Sequence, residues 1–103
     1  MNLLSLQQAE RQPDLPMRLE SDFGVLNLQR WLRTLPGKRY VAQAELNGSP
    51  VLVKLYLGAR AKSKAEAEVS GLKRLHERKL PAPKLLQQGF NSSAAWVVCE
   101  WLS

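Results

Sequence analysis

The chain contains 103 residues, of which 45% are hydrophobic, and its formal net charge is +6. This length supports one small domain with a modest core, and no stretch approaches the ~20 apolar residues that a membrane-spanning helix needs. The first residues lack the basic leader and the long apolar region of a secretory signal, so we expect a cytoplasmic protein. The single cysteine, Cys99, lies in an apolar run and is expected to be a buried, inert thiol.

The excess of positive charge comes from groups of Lys and Arg within residues 30–39, 60–64 and 73–84. Such a surface suits an anionic partner, and it leaves a nucleotide, a phosphorylated glycolipid, a nucleic acid and an anionic membrane open as candidates. A solvated face with no partner would have the same composition. Charge alone therefore does not choose among these classes.

The first part of the sequence predicts a lead-in segment followed by a hairpin. Residues 1–16 begin with a short amphipathic stretch that allows about one helical turn, and Pro13, Asp14 and Pro16 then stop any helix. Residues 17–20 alternate in polarity, Ser21-Asp22-Phe23-Gly24 has the Asp and Gly that are typical of a turn, and residues 25–32 supply the second strand. Residues 17–103 are therefore expected to form the folded domain.

Two further strands are joined by the strongest turn signal in the chain. Residues 39–46 alternate in polarity, Asn47-Gly48 favours a tight hairpin turn, and residues 51–57 are β-branched, apolar and aromatic with one lysine among them. Alternation along the second of these strands predicts two covered faces, one with Val51, Val53, Leu55 and Leu57 and the other with Leu52, Lys54 and Tyr56.

The only convincing long helix is predicted from Ser63 to about Lys79. Ser63 and Glu66 form a capping-box pattern, and Pro81 ends the helix. The predicted apolar stripe, taken at helical spacing, consists of Ala65, Val69, Leu72 and Leu75.

Two charged side chains do not fit these apolar faces. Lys54 lies within the central strand, and a lysine on a covered face needs an anionic partner. Glu68 lies four residues before Leu72 and therefore on the inward stripe of the helix. The alternatives are an edge-strand lysine that prevents aggregation or extends to water, and a flanking glutamate exposed to solvent.

The end of the sequence predicts two more extended segments. Residues 84–89 are extended, residues 91–93 form a turn, and residues 94–102 form an apolar strand interrupted by Glu100. The expected fold is α+β, with an antiparallel sheet of about five strands and one main helix packed on it. A strand this close to the last residue suggests that something downstream has been removed, although a domain can also simply finish on a strand.

In this order the elements resemble the amino-terminal lobe of the protein-kinase-like fold, and within it the bacterial lipopolysaccharide-core sugar kinases, the heptose and Kdo kinase family. The resemblance covers roughly residues 25–103. Val51-Leu52-Val53-Lys54 stands where the fold has Val-Ala-Ile-Lys, and Glu68 matches the glutamate of the helix that follows. Val97-Val98-Cys99-Glu100-Trp101-Leu102 is similar to the last strand and the hinge.

The resemblance implies ATP as the cofactor and gives each of these residues a role. Lys54 would contact the α and β phosphates of the nucleotide, and Glu68 would orient Lys54, so that the two form the catalytic pair of this lobe. The adenine site would be lined by Val41 and Leu52, by Cys99 as gatekeeper, by the carbonyl of Glu100 and by the N–H of Leu102.

The chain departs from the family pattern around the predicted nucleotide. Gly37 is the one glycine between Leu35 and Val41, so the usual Gly-x-Gly-x-x-Gly loop is absent, and Lys38 and Arg39 would supply cations in its place. A leucine also stands where the family has a small alanine, which narrows the adenine site.

The catalytic residues of a kinase are not expected in this chain. Asp22-Phe23-Gly24 has the letters of the magnesium-binding motif, but it precedes the lysine strand, so we assign it to a turn. His76 is followed by Glu77, without the Arg-Asp of a catalytic loop, and is expected to be an ordinary helix residue. Magnesium and the catalytic base would belong to a missing second lobe, and the 103-residue chain alone is not expected to transfer phosphate.

The leading hypothesis is the nucleotide-binding lobe of an ATP-dependent kinase that acts on a phosphorylated or acidic glycolipid of the lipopolysaccharide core. The basic surface would suit a substrate at the inner face of the membrane, and nucleic acid is not expected as a partner. The alternatives are a non-catalytic basic binding module and a pseudokinase or solvent-tolerance-related protein.

Overall fold

The computed structural model describes residues 8, 11–21, 24–92 and 94–101. In these residues one antiparallel sheet has the strand order β1-β2-β3-β4-β6-β5, and one helix packs on it, which confirms the predicted α+β class. The sheet has six strands where about five were expected. The elements are β1 (Met17–Ser21), β2 (Gly24–Leu35), β3 (Arg39–Leu46), β4 (Ser49–Leu57), α1 (Ala61–Glu77), β5 (Leu85–Phe90) and β6 (Ala94–Glu100).

The hairpin of β3 and β4 forms where the sequence predicts it. Asn47 and Gly48 have φ angles of 53° and 81°, the left-handed values that a two-residue hairpin turn requires and that these two residue types accept at low cost. Leu46 pairs with Ser49 across the turn, and the ladder continues to Arg39 paired with Tyr56. Because β4 also pairs with β6, it is an interior strand of the sheet.

The strand β2 is longer than the predicted 25–32 and is irregular. It extends to Leu35, and its register against β3 shifts between Leu28 and Arg30 and again between Trp31 and Arg33. Each shift inserts a residue that has no partner and increases the local twist of the strand. After the second shift Arg33 lies opposite Val41, on the same side of the sheet.

The two faces of the sheet are covered by different apolar clusters, as the alternation along β4 predicts. Val53 belongs to the cluster on what we call the inner face, whereas Tyr56 belongs to the cluster against α1, on what we call the helix face. The inner-face cluster consists of Leu19, Leu26, Leu28, Tyr40, Ala42, Ala44, Val51, Val53, Leu55, Leu57, Ala94, Trp96 and Val98. The helix-face cluster consists of Tyr56, Ala61, Ala65, Val69, Leu72, Ala95, Val97 and Cys99.

The helix α1 begins earlier than predicted, and the expected capping box is wrong. The helix starts at Ala61, its N-cap is Arg60, and no side chain caps it. Ser63 already lies within the first turn, where its hydroxyl donates to the Arg60 carbonyl at 3.3 Å. The amide of Ala61 donates to the Gly58 carbonyl at 3.2 Å. This turn leads directly into the helix, which therefore starts two residues before Ser63.

Near its C-terminal end, α1 differs from the predicted apolar stripe and from the predicted bounds. Ala65, Val69 and Leu72 are buried as expected, but Leu75 is 37% exposed. The helix ends at Glu77, two residues before the predicted end. In the described part of the chain, no helix is both long enough and apolar enough to span a bilayer.

The described part of the lead-in segment lies along β2. Trp31 donates from its indole nitrogen to the Pro13 carbonyl at 2.8 Å, and Thr34 donates to the side chain of Gln12 at 2.9 Å. Ser21 and Gly24 pair at the end of the first hairpin. The predicted turn residues Asp22 and Phe23, together with Ser93, Leu102 and most of residues 1–10, lie outside the described residues.

Two glycine-to-alanine variants should change stability in opposite directions. A Cβ at Gly89 would lie 2.6 to 3.0 Å from ring atoms of Trp96, a buried side chain, so we expect Gly89→Ala to destabilise the fold by about 1–3 kcal/mol. A Cβ at Gly71, inside α1, would meet nothing within 4 Å, so Gly71→Ala should stabilise it by roughly 0.5–1 kcal/mol. Urea unfolding of both variants measures the two changes, and a Gly89→Ala variant as stable as the unchanged chain would contradict the packing at Gly89.

Candidate functional site

Lys54 and Glu68 meet on the helix face. Lys54 is in the interior strand β4, and Glu68 is in the second turn of α1; their Nζ and Oε1 atoms form an ion pair. Their side chains are 25% and 29% exposed, so both are largely shielded from water. The interpretations of Lys54 as an edge-strand residue and of Glu68 as an exposed flanking residue are therefore wrong.

The register of β3, β4 and β6 surrounds Lys54 with apolar side chains. Residues paired directly across an antiparallel ladder lie on the same face. Lys54 pairs with Val41 on one side and Val97 on the other, and Leu52 pairs with Cys99 in the adjacent row. Val41, Leu52, Lys54 and Cys99, all predicted site residues, therefore lie on the helix face within two neighbouring rows.

The end of β6 holds the residues of the predicted hinge. Glu100 is the last residue of the strand; its amide donates to the Lys84 carbonyl at 3.0 Å, and its carboxylate accepts from the Lys84 amide at 3.3 Å. The ring of Trp101, the next residue, lies 6.0 Å from the guanidinium carbon of Arg30. The predicted contact at Leu102 lies outside the described residues.

The charges of the Lys54–Glu68 pair affect the pKa values of two further side chains on this face, Cys99 and Tyr56. Burial raises the pKa of the Cys99 thiol; the charge of Lys54 opposes this shift, and Glu68 adds to it. Burial also raises the pKa of Tyr56; the Glu68 carboxylate raises it further, and the guanidinium of Arg39 opposes the rise. Cys99 is 1% exposed, so the expected buried thiol is confirmed.

The turn between β2 and β3 contains Gly37 and Lys38, from the segment that was predicted to replace a glycine-rich phosphate loop. Gly37 has a φ of 78°, and the amide of Lys38 donates to the Leu35 carbonyl at 2.9 Å, which closes a four-residue turn. The amide of Gly37 donates to the hydroxyl of Tyr40 at 3.0 Å. Pro36 has no amide hydrogen, so the turn directs its backbone donors to the protein itself.

The alternation along β4 predicts Tyr56 on this face, but Gln43 and Arg33 were not identified from the sequence. Gln43 pairs with Leu52 and therefore lies beside the predicted residues. Arg33 joins the row of Lys54 only because of the second register shift in β2. The hairpin turn at Asn47-Gly48 fixes the pairing of β3 with β4 and could have located Gln43, whereas the register shifts in β2 have no sequence signal.

The described residues contain no group of three His, Cys, Asp or Glu side chains that could hold a metal ion. His76, expected to be an ordinary helix residue, lies near the end of α1 with its Nε2 atom 3.1 Å from the Pro83 carbonyl oxygen.

Comparison of the chain with protein families, curated proteins and solved structures found no match.

A double-mutant cycle should measure the coupling between Lys54 and Glu68. Each single variant, Lys54→Met or Glu68→Gln, leaves the other charge shielded from water and without its partner. We therefore expect the double variant to lose about 1 kcal/mol less unfolding free energy than the sum of the two single losses. The free energies of unfolding come from urea titrations. The matched control is the exposed pair Lys62–Glu66, whose N···O distance is 3.9 Å and whose coupling should be roughly 0.3–0.5 kcal/mol. A Lys54–Glu68 coupling no larger than the control would contradict the shielding.

The raised pKa values of Cys99 and Tyr56 predict a loss of stability at high pH. The unfolded chain releases thiol protons near pH 9.0 and phenol protons near pH 10.0, whereas the folded chain still holds them. Stability from these groups is therefore fully present below the unfolded thiol pKa of about 9.0 and is lost as the pH rises through their folded pKa values. In a plot of unfolding free energy against pH, Cys99→Ser should reduce the slope at the lower-pH end of this fall. Tyr56→Phe should reduce the slope at the higher-pH end. Profiles that keep the slope of the unchanged chain would contradict the burial of these groups.

Proposed function

We propose that the chain is the nucleotide-binding lobe of a kinase-like phosphotransferase that uses ATP. The observation that carries the proposal is the ion pair between Lys54 on an interior strand and Glu68 on the packed helix, on a face that also carries Val41, Leu52 and Cys99. A covered lysine with one carboxylate partner is costly to maintain for stability alone, since apolar residues of similar volume often replace such pairs without loss.

The chemistry of this face fits a nucleotide. Phosphoryl transfer depends on positive charge held in a fixed position against the phosphates. Lys54 would contact the phosphates, and Glu68 is the positioning residue that limits the rotamers of Lys54. Val41 and Leu52 supply an apolar surface for the adenine beside Cys99, while the Glu100 carbonyl and the Leu102 N–H would meet the edge of the base.

The substrate we propose is an acidic or phosphorylated sugar of the lipopolysaccharide core, in a cytoplasmic protein at the inner face of the membrane. The support for this substrate class is that the sequence of the helix around Glu68 and the sequence Glu100-Trp101-Leu102 are similar to the corresponding segments of the heptose and Kdo kinases. The formal charge of +6 suits both an anionic substrate and an anionic lipid surface. Magnesium and the catalytic base would come from a second lobe, so we expect no transfer by this chain alone.

A second candidate is a non-catalytic relative, either a pseudokinase or a basic binding module. The turn between β2 and β3 favours it, because the amides of Gly37 and Lys38 already have acceptors within the protein. A basic module would bind many anions with strong salt dependence and without preference for a nucleotide. It would also be indifferent to the pairing of Lys54 with Glu68.

Nucleotide binding by the chain tests the proposal directly. We expect calorimetric titration with ATP to show saturable binding, and Lys54→Met to weaken it by roughly tenfold or more, because a charge-assisted contact with the phosphates is lost. Lys64→Met is the matched control, since Lys64 lies exposed on α1 and its loss changes the net charge equally. Urea unfolding of each variant separates weakened binding from loss of the fold.

Anionic probes distinguish the two candidates. A nucleotide lobe should bind ATP more tightly than heparin or vesicles of anionic phospholipid at equal ionic strength. Equal weakening of ATP binding by Lys54→Met and Lys64→Met, with heparin bound at least as tightly, would reject the nucleotide lobe and support the basic module.

A further inference from the structure

Arg39 occupies the corner of the helix face where β3 leaves its turn. It is the first residue of β3 and pairs with Tyr56, the helix-face residue two positions beyond Lys54 on β4. Arg39 and Lys54 are therefore diagonal neighbours on adjacent strands, a relation that places Cα atoms roughly 7–8 Å apart and lets long side chains reach the same point.

The Nε atom of Arg39 is buried and makes no hydrogen bond to the described residues. None of the described carboxylates forms an ion pair with the guanidinium. A buried donor without an acceptor costs free energy that a bound ligand can recover. The side chain is only partly buried as a whole, so a ligand on the helix face can approach it.

Two neighbouring groups show what kind of ligand fits this corner. Among the described residues, the Glu68 carboxylate that acts on Tyr56 is already paired with Lys54 and is therefore not free to neutralise Arg39. Besides the effect of burial, the Glu68 carboxylate raises the pKa of the Tyr56 hydroxyl and the Arg39 guanidinium lowers it, so both charges act at this corner. Since no described carboxylate pairs with Arg39, its positive charge is available to an anion with several oxygens, such as a phosphate chain, which matches the planar array of guanidinium donors.

We propose that Arg39 binds the phosphate chain of the nucleotide together with Lys54, and that it replaces the backbone donors that the turn at Gly37 and Lys38 does not offer. This inference rests on the proposed nucleotide site and adds to it the residue that recognises the phosphates. Arg39 would distinguish ligands by their phosphates, whereas Val41 and Leu52 would contact only the base.

The test compares ligands that share adenosine but differ in phosphates. Calorimetric titrations of the chain with ATP and with adenosine should show that Arg39→Gln weakens ATP binding by roughly tenfold to a hundredfold, the range of one charge-assisted contact, and changes adenosine binding less than about twofold. Arg39→Lys keeps the charge but loses the planar donor array, so its affinity for ATP should lie between that of the unchanged chain and that of Arg39→Gln. Arg18→Gln is the matched control, because Arg18 lies exposed on β1 and its loss lowers the net charge equally.

The unfolding free energy is the second readout. Because Nε of Arg39 has no acceptor in the part of the chain that the structure describes, Arg39→Gln should leave the urea midpoint within error or raise it. A clear loss of stability would mean that Arg39 has a structural role and would overturn the inference. Equal weakening of ATP and adenosine, or equal effects of Arg39→Gln and Arg18→Gln on ATP, would overturn it while leaving the nucleotide site in place. A chain that binds neither ligand would overturn the proposed function and this inference together.

Discussion

The strand β4 is paired on both edges, to β3 and to β6, and the arrangement of the domain depends on its register. Successive side chains of a strand point to opposite faces, so Val53 and Leu55 fill the inner-face cluster while Lys54 between them points to the helix face. A slip of one residue would exchange the two sets and bury the ammonium of Lys54 among apolar side chains. The apolar packing of the inner face therefore fixes the position of the one charge that the helix face carries on this strand.

The fixed position of the Lys54 ammonium requires a carboxylate on the helix that faces it, and Glu68 provides this carboxylate. Ala65, Val69 and Leu72 attach α1 to the sheet, and their spacing turns Glu68 towards Lys54. An ion pair between two shielded groups contributes little net stability, because the desolvation of both charges offsets much of their attraction. Its clearer physical effect is geometric, since each side chain restricts the rotamers of the other. This restriction is the reason to regard the pair as part of a site.

The sequence predicted those parts of the molecule that depend on local chemistry and on periodicity. The turn at Asn47-Gly48 needs only two residues that accept positive φ, and the meeting of Lys54 with Glu68 follows from a strand period and a helix period. The start of α1 could not be predicted, because the turn at Gly58 competes with the capping pattern and begins the helix at Ala61. The exposure of Leu75 and the register shifts in β2 depend on where the sheet beneath them ends or twists, which no short segment encodes.

In the proposed nucleotide site, the turn between β2 and β3 would shift the recognition of anions from the backbone to side chains. Backbone amides in a loop present fixed partial charges, whereas Lys and Arg carry full charges on flexible stems and lose conformational entropy when they are ordered. On this face that entropy is already reduced before any ligand arrives. Lys54 is held by Glu68, and Arg39 has its Nε atom enclosed by the fold. Two cations that are ordered in advance can bind an anion with less further loss of freedom, which is the physical basis on which the proposed site would hold phosphates without a glycine-rich loop.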